Sequence, residues 1–319
     1  MEFAQIKQAL TNIISHANDE AVVVLEGDQP GPTVAVSALT HGNEISGVVT
    51  AASILARLQS GELTLKAGRL KLLLANYEIL AQAESLEQLV RHRGVDLNRI
   101  WDDGIAAVPA GQPGAGEFAI RQRLLPTIAA ADYLIDLHST SQPSTPIGIA
   151  LADSPATMSW LADHLDVPYL LPNISNYLNG TAMIDRHHAE ASKRALPHHF
   201  SLVIEAGQHF DYSTIDRNTA NVERLLKLCG VLDGKPEPVR SAPLQLEVYK
   251  TGYSKEIDKA VDWLYTDSPR GFDQVAKGTA LCNLEDGTVF AEHDSYVVMP
   301  QLRSNRVGQE LFYLARQTN

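Results

Sequence analysis

The side chains best suited to chemistry in this chain are histidines, carboxylates and arginines gathered in a few short runs. Thr40-His41-Gly42-Asn43-Glu44 sets an imidazole three residues before a carboxylate. Where a strand turns into a helix, that spacing lets both groups converge on one cation. Chance and capping produce the same spacing, since a glutamate in a first helical turn complements the helix dipole. Tyr133-Leu134-Ile135-Asp136-Leu137-His138 is an apolar run ending in a second histidine, and two-residue alternation puts Asp136 and His138 on one strand face. Alone, His138 reads as a hydrogen-bonded residue at a strand end. Joined to His41 and Glu44, it completes the two-histidine, one-carboxylate donor set of a catalytic zinc, which keeps a fourth position for water. Cys229 and Cys282 are the only cysteines, too few for a cysteine zinc site or a disulfide framework.

Other runs supply acid, base and anion-binding groups. Arg91-His92-Arg93-Gly94-Val95-Asp96-Leu97-Asn98-Arg99 holds three arginines within nine residues. A solvated basic loop is one reading; the planar guanidinium also suits a carboxylate or a developing oxyanion better than lysine does. Ser201–Gly207 reads as a buried strand with Glu205 near its end, where it either caps the surface or acts as general base beside an activated water. His187-His188-Ala189-Glu190, followed by His198-His199, offers a second His-x-x-Glu. No predicted strand sets a third ligand beside it, so Arg186–Arg194 reads more simply as a polar helix face or an insertion. Gly111–Gly116 lacks the Lys-Ser/Thr and the preceding strand of a phosphate loop.

The elements that must position these groups alternate. Ala21–Leu25, Thr33–Leu39, Arg69–Ala75, Tyr133–His138, Ile147–Leu151 and Leu202–Glu205 are predicted strands. Ile45, Val48, Val49, Ala52 and Leu55 make a helical stripe opening at Glu44, and Val222, Leu225, Leu226 and Cys229 make another. Near-continuous apolar strands imply a sheet covered by helices on both faces. Pro109, Gly111, Pro113 and Gly114 mark Gly104–Gly116 as a surface loop, a lid or a simple connection. Gly230 to Pro238 ends the last long helix, which puts a domain boundary near residue 236. Beyond it, Leu244–Tyr249, Val289–Ala291, Tyr296–Met299 and Leu311–Ala315 predict a β-rich appendage.

Composition bounds the function. The chain has 319 residues, 45% of them apolar and 20% charged, which fits a globular α/β protein. Its 26 basic against 38 acidic residues give a net charge of −12, which disfavours a nucleic-acid partner. The charged N-terminus does not read as a secretory signal, and no apolar run approaches the roughly 20 residues of a membrane span. A reducing, cytoplasmic setting is expected.

His41-Gly42-Asn43-Glu44, Asp96-Leu97-Asn98-Arg99, Asp136-Leu137-His138 and Ile204-Glu205-Ala206-Gly207 occur in the order and roughly the spacing of the succinylglutamate desuccinylase/aspartoacylase family. Leu246–Lys250 and the Gly278, Asp286-Gly287, Val297, Pro300 pattern resemble its C-terminal β domain, so the resemblance spans nearly the whole chain. It implies a zinc-carboxypeptidase-like α/β domain, a mixed central sheet with helices on both faces, over residues 1–236. A smaller β-rich domain over 237–319 would wall the active site. It implies one zinc per chain on His41, Glu44 and His138, with Glu205 activating the hydrolytic water. Asn98 and Arg99 would grip a substrate carboxylate, Arg91 would polarise the scissile carbonyl, and Asp96 would orient His41. The implied reaction is hydrolysis of the amide in a small anionic N-acyl amino acid. A metallocarboxypeptidase cutting peptide C-termini and a non-catalytic metal-containing anion-binding protein are the alternatives. The chain departs from the family in having Asn76-Tyr77 where Asn-Pro is common, and an expanded Thr181–Phe200 segment.

Overall fold

Leu, Val and Ile recurring in alternation make the strands, and the order in which those strands pair fixes where the site falls. The computed structural model describes residues 1–317 apart from 107, 173, 195 and 197. Positions 107, 195, 197, 318 and 319, within the predicted loop, the expanded segment and the C-terminal part, lie outside the described residues. In chain order come α1 (Phe3–Ile14), β1 (Val22–Glu26), β2 (Gln29–Ala38), α2 (Ser46–Gln59), β3 (Ala67–Leu74) and α3 (Tyr77–Gln82). Next are α4 (Ala115–Ala130), β4 (Tyr133–Thr140), β5 (Ile147–Ala152), α5 (Pro155–Ala162), β6 (Tyr169–Leu171), α6 (Met183–Ala191), β7 (Phe200–Gln208) and α7 (Thr214–Leu228). The C-terminal part adds β8 (Leu244–Tyr253), β9 (Asp262–Trp263), β10 (Asp273–Val275), β11 (Ala280–Leu284), β12 (Gly287–Phe290), β13 (Ser295–Val298) and β14 (Glu310–Gln317).

Eleven strands form one mixed sheet in the order β1-β3-β2-β4-β7-β5-β6-β8-β14-β13-β10, and β12-β11-β9 form a second. Strands β3, β2, β4 and β7 are parallel neighbours, so their carboxyl ends share one edge, where open α/β sheets collect their sites. β5 returns antiparallel to β7 and brings Ile147 opposite Glu205 at that same edge. Alternation then sorts the side chains. Val34, Val36, Leu70, Leu72, Ile135, Leu202 and Ile204 pack into one buried cluster with α1, α2 and α7. Ala35, Leu73, Leu134, Ile149 and Val203 pack on the opposite face with Phe118 and Leu124 of α4 and Met183 and Ile184 of α6.

The helix expected to open at Glu44 begins at Ser46, so Glu44 lies in the preceding turn rather than in a first helical turn. Helix α5 starts as sequence chemistry dictates: Ser154 caps the Thr157 N–H at 3.2 Å and Pro155 follows at the first helical position. The connection between α7 and β8 contains residue 236, yet the sheet runs on across it. Tyr169 and Leu170 of β6 pair in parallel with Leu244 and Gln245 of β8. Among the described residues no helix is long and apolar enough to cross a membrane.

Candidate metal centre and active site

The turn after β2 is held in an unusual shape. Leu39, fully buried, adopts the left-handed region at φ +59°, a conformation that strains a bulky residue by roughly 1–3 kcal/mol unless its surroundings hold it. They do so here: the Asn76 N–H donates to the Leu39 carbonyl at 2.9 Å, and Asn76 Nδ2 donates to the Thr40 carbonyl at 2.7 Å. Gly42 is required by close packing. A Cβ there would lie 2.5 Å from Ile79 Cδ1 of α3, while the Gly42 N–H donates to the Arg91 carbonyl at 2.9 Å. The Glu44 N–H closes the turn on the His41 carbonyl at 3.1 Å, which brings the His41 and Glu44 side chains together.

His41 Nδ1 is 2.8 Å from Glu44 Oε1, and His138 Nδ1 is 2.8 Å from Glu44 Oε2. The three residues are buried, and one donor atom from each lies within 4.8 Å of the others. Both imidazoles are anchored on their far nitrogens: His41 Nε2 sits 3.0 Å from Asp96 Oδ1 and His138 Nε2 sits 2.7 Å from Asp136 Oδ2. Asp136 is itself held by the Thr40 hydroxyl at 2.7 Å. Carboxylates on the outer nitrogens select the tautomer that leaves each Nδ1 lone pair pointing inward. Burial alone would raise the Glu44 carboxyl, but His41 and His138 outweigh it and hold it well below the usual carboxylate range. Burial likewise opposes the charged forms of Asp96 and His138. Arg91 and His41 nevertheless lower Asp96, and Asp136 and Glu44 raise His138. Two imidazole nitrogens, one ionised carboxylate and no thiolate are a donor chemistry that fits zinc.

Glu205 stands beside this set, on the strand next to His138 and in register with it. Its carboxyl is buried, Oε2 has no hydrogen-bond partner, and burial pushes its pKa up to about 7. Gly207, two residues on, takes φ +103°, a backbone state suited to glycine, at the register shift between the His138–Glu205 and Thr140–Gln208 pairs. Arg91 reaches Glu44 Oε1 from Nη1 at 3.3 Å and Asp96 Oδ2 from Nη2 at 3.1 Å. Asp96 also caps the short turn Leu97–Arg99 by accepting the Asn98 N–H at 2.9 Å. Asn98 Oδ1 accepts the Met183 N–H of α6 at 2.8 Å. His41, Arg91, Asp96, Asn98, Arg99, His138 and Glu205 all line one cavity of about 370 Å³. Of the predicted site residues only Glu44 is not at that surface; it lies behind the two histidines that it bridges.

Several groups of the site escape the sequence reading. Asp136 was visible as a same-face neighbour of His138, though not as its anchor. His209 lines the cavity and meets the Ser139 hydroxyl at 2.9 Å through Nδ1; burial lowers its pKa. Its one signal is a position four residues past Glu205. Glu310 and Tyr313 come from β14, far along the chain. A bulge sets Glu310 and Phe312 against consecutive residues Tyr253 and Gly252 of β8, which lets Glu310 and Tyr313 face one cavity despite their spacing of three. Among the described residues, Gly104–Gly116 contributes none to the cavity lining.

The second His-x-x-Glu forms no such centre among the described residues. His187 is fully buried, with Nδ1 2.6 Å from the Ser201 hydroxyl and Nε2 3.0 Å from the Ala131 carbonyl, so both nitrogens are taken. Burial pushes its pKa down to about 3. The folded chain thus keeps His187 neutral while an unfolded one protonates it near pH 6.5, about the unperturbed value. Its contribution is fully present above that pH and is lost as pH falls toward 3, about 2 kcal/mol by pH 5. Thermal melts of His187→Gln are expected to fall less steeply than those of the parent between pH 7 and 5. Parallel slopes would place the acid sensitivity elsewhere.

Residues 30–227 match the succinylglutamate desuccinylase/aspartoacylase catalytic domain. The chain belongs to that family, whose members are hydrolytic deacylases. No curated protein sequence matches it closely enough to add to this. Among solved structures it is similar to succinylglutamate desuccinylase from Vibrio cholerae (TM-score 0.70, 16% identity), with 94% of this chain and 86% of that one covered. The enzyme of the same name from Vibrio parahaemolyticus gives 0.69 and 17%, with the same two coverages. The product-bound ectoine utilization protein EutE (DoeB) from Ruegeria pomeroyi gives 0.64 and 18%, covering 94% of this chain and 92% of that one. These likenesses establish a shared desuccinylase fold.

Proposed function

We propose that the protein is a zinc-dependent amidohydrolase that removes the acyl group from a small N-acyl amino acid. The observation that carries this is the buried His41, Glu44 and His138 cluster with the unpartnered Glu205 carboxylate oxygen beside it. His41, Glu44 and His138 would hold the ion. When bound, zinc supplies Lewis acidity toward the scissile carbonyl and toward water. Glu205 accepts the proton of the attacking water and hands it to the nitrogen of the leaving amine; the C–N bond breaks and the acyl group departs as a carboxylate. A carboxyl held near neutrality is matched to taking and returning that proton. Arg91 donates to the carbonyl oxygen as negative charge grows there, and its pairing with Glu44 and Asp96 keeps it in place. Asn98 and Arg99 hold a substrate carboxylate. Asp96 and Asp136 keep the imidazoles oriented.

Residues 237–319 serve as a wall. Met299, Gln301, Asn305, Gln309 and Tyr313 line the cavity together with the strand-end residues, which supports a role in restricting it to a small substrate. The test is kcat/KM of the zinc-loaded protein on N-acetyl, N-succinyl and N-formyl amino acids and on peptides of increasing length. Turnover of N-acyl amino acids with a steep fall beyond a dipeptide is expected. Undiminished cleavage of long peptides would make the protein a carboxypeptidase, and zinc and ligand binding without turnover would make it a binding protein.

A further inference from the structure

The arginines of the cavity are already paired within the protein. Among the described residues three arginines line it, Arg91, Arg99 and Arg306, and no lysine does. Each is committed to carboxylates of the chain. Arg91 rests on Glu44 and Asp96. Arg99, half-buried, places Nε 3.3 Å from Glu310 Oε1 and Nη2 3.4 Å from Glu310 Oε2, and Nη1 donates to the Asn98 carbonyl at 2.9 Å. Arg306 approaches Glu310 Oε2 at 3.5 Å, and the Asn179 N–H donates to Glu310 Oε1 at 2.7 Å. Glu310 is thus held on both oxygens, against the guanidinium donors of Arg99 and Arg306.

One stretch of the remaining wall is apolar, beside polar side chains such as Ser139, Thr140, Gln142 and Gln301. Val203 stands two residues before Glu205 on the same strand face, and Ile149 pairs with it across β7 and β5. Ile174, Leu178, Ile184 and Met299 extend that surface around the cavity. Arg99 has five N–H donors, of which three are used, so together with the Asn98 amide it can still accept one substrate carboxylate. A second carboxylate would lie beside Glu310 and Glu205, with each arginine of the cavity already paired to a carboxylate of the chain. An apolar group would instead be drawn from water onto the isoleucine and valine wall.

We propose that the site selects N-acyl amino acids with a single carboxylate and an otherwise apolar body, and that Glu310 sets this choice by occupying Arg99. The proposal rests on the deacylase reading above and narrows it, away from diacidic substrates. Glu310 is a positioning residue that acts on specificity through Arg99. The test compares N-acetyl-methionine and N-acetyl-leucine with N-acetyl-aspartate and N-acetyl-glutamate. For the parent protein kcat/KM should favour the apolar pair by about tenfold or more, in the range that one pocket contact can discriminate. Glu310→Gln keeps the shape of the side chain and the acceptor for Asn179. It should narrow or invert that ratio, an effect that general loosening of the fold would not produce, since loosening lowers both rates together.

Calorimetric binding of the product amino acids to the parent protein gives a readout that needs neither turnover nor the variant. Methionine and leucine should bind more tightly than aspartate and glutamate. Equal or better use of the acidic substrates and equal or tighter binding of the acidic products would overturn the proposal, as would an unchanged ratio in a well-folded Glu310→Gln. Hydrolysis of none of the four substrates, with apolar products still preferred in binding, would strike the deacylase reading and leave the pocket assignment standing.

Discussion

Glu205→Gln is expected to lower kcat by about 100- to 10,000-fold, the span for removal of a general acid–base group, while the metal content of the protein stays unchanged. The expectation follows from where the carboxylate stands. Glu205 sits in register with His138 on the neighbouring strand, with its Oε2 shielded from solvent and free of any protein partner. A buried carboxylate oxygen left unpaired costs stability, and such groups persist where they have work in a reaction. Glutamine fills the same volume and can accept or donate hydrogen bonds, but it cannot take a proton from water at neutral pH. The variant should therefore fold, bind zinc and bind substrate with little change in KM, and fail at proton transfer. Metal analysis beside steady-state kinetics checks this. Loss of zinc together with activity would make Glu205 a ligand or a structural group.

How much of this was readable from the sequence depends on whether local or distant residues decide it. The parallel strands β2, β4 and β7 carry largely apolar runs, and each ends in a chemically active residue or leads into one: the His41–Glu44 turn, His138 and Glu205. Period-two alternation and the rule that sites gather at strand carboxyl ends are enough to bring these together. The His41–Glu44 turn was read one step wrong. Glu44 was expected in the first turn of a helix, whereas the left-handed Leu39 and the Asn76 side chain hold a separate turn ahead of Ser46. Neither feature leaves a local signal, because Asn76 acts across strand pairing. Asn98 and Arg99 were found by motif, but their surroundings were not. The partner of Arg99 is Glu310, 211 residues away, and it faces the cavity beside Tyr313 only because of the bulge in β14. A bulge depends on pairing register, which a single strand's sequence does not encode. The same holds for the join of β6 to β8, a three-residue strand against the first residues after a linker.

His41→Ala and His138→Ala are each expected to strip the metal from the protein, and activity with it. Each variant removes one of three protein donors from a site that has no cysteine to compensate. It also leaves Glu44, held ionised between the two imidazoles, facing one neutral gap in a buried space. The anchoring carboxylates should show a graded effect. Asp96→Asn and Asp136→Asn keep the ligands and alter only the outer nitrogens, so metal affinity should weaken by about 10- to 100-fold rather than vanish. The decisive contrast is with the second histidine cluster. His187 spends both nitrogens on Ser201 and Ala131, and neither His187 nor His188 lines the cavity, so His187→Ala and His188→Ala should keep a full complement of metal even where the fold is weakened. Metal stoichiometry by atomic emission, with circular dichroism to confirm folding, separates the two clusters. Retention of metal in His41→Ala and His138→Ala alongside its loss in the His187 and His188 variants would move the centre to α6 and dismantle the mechanism built on the strand ends.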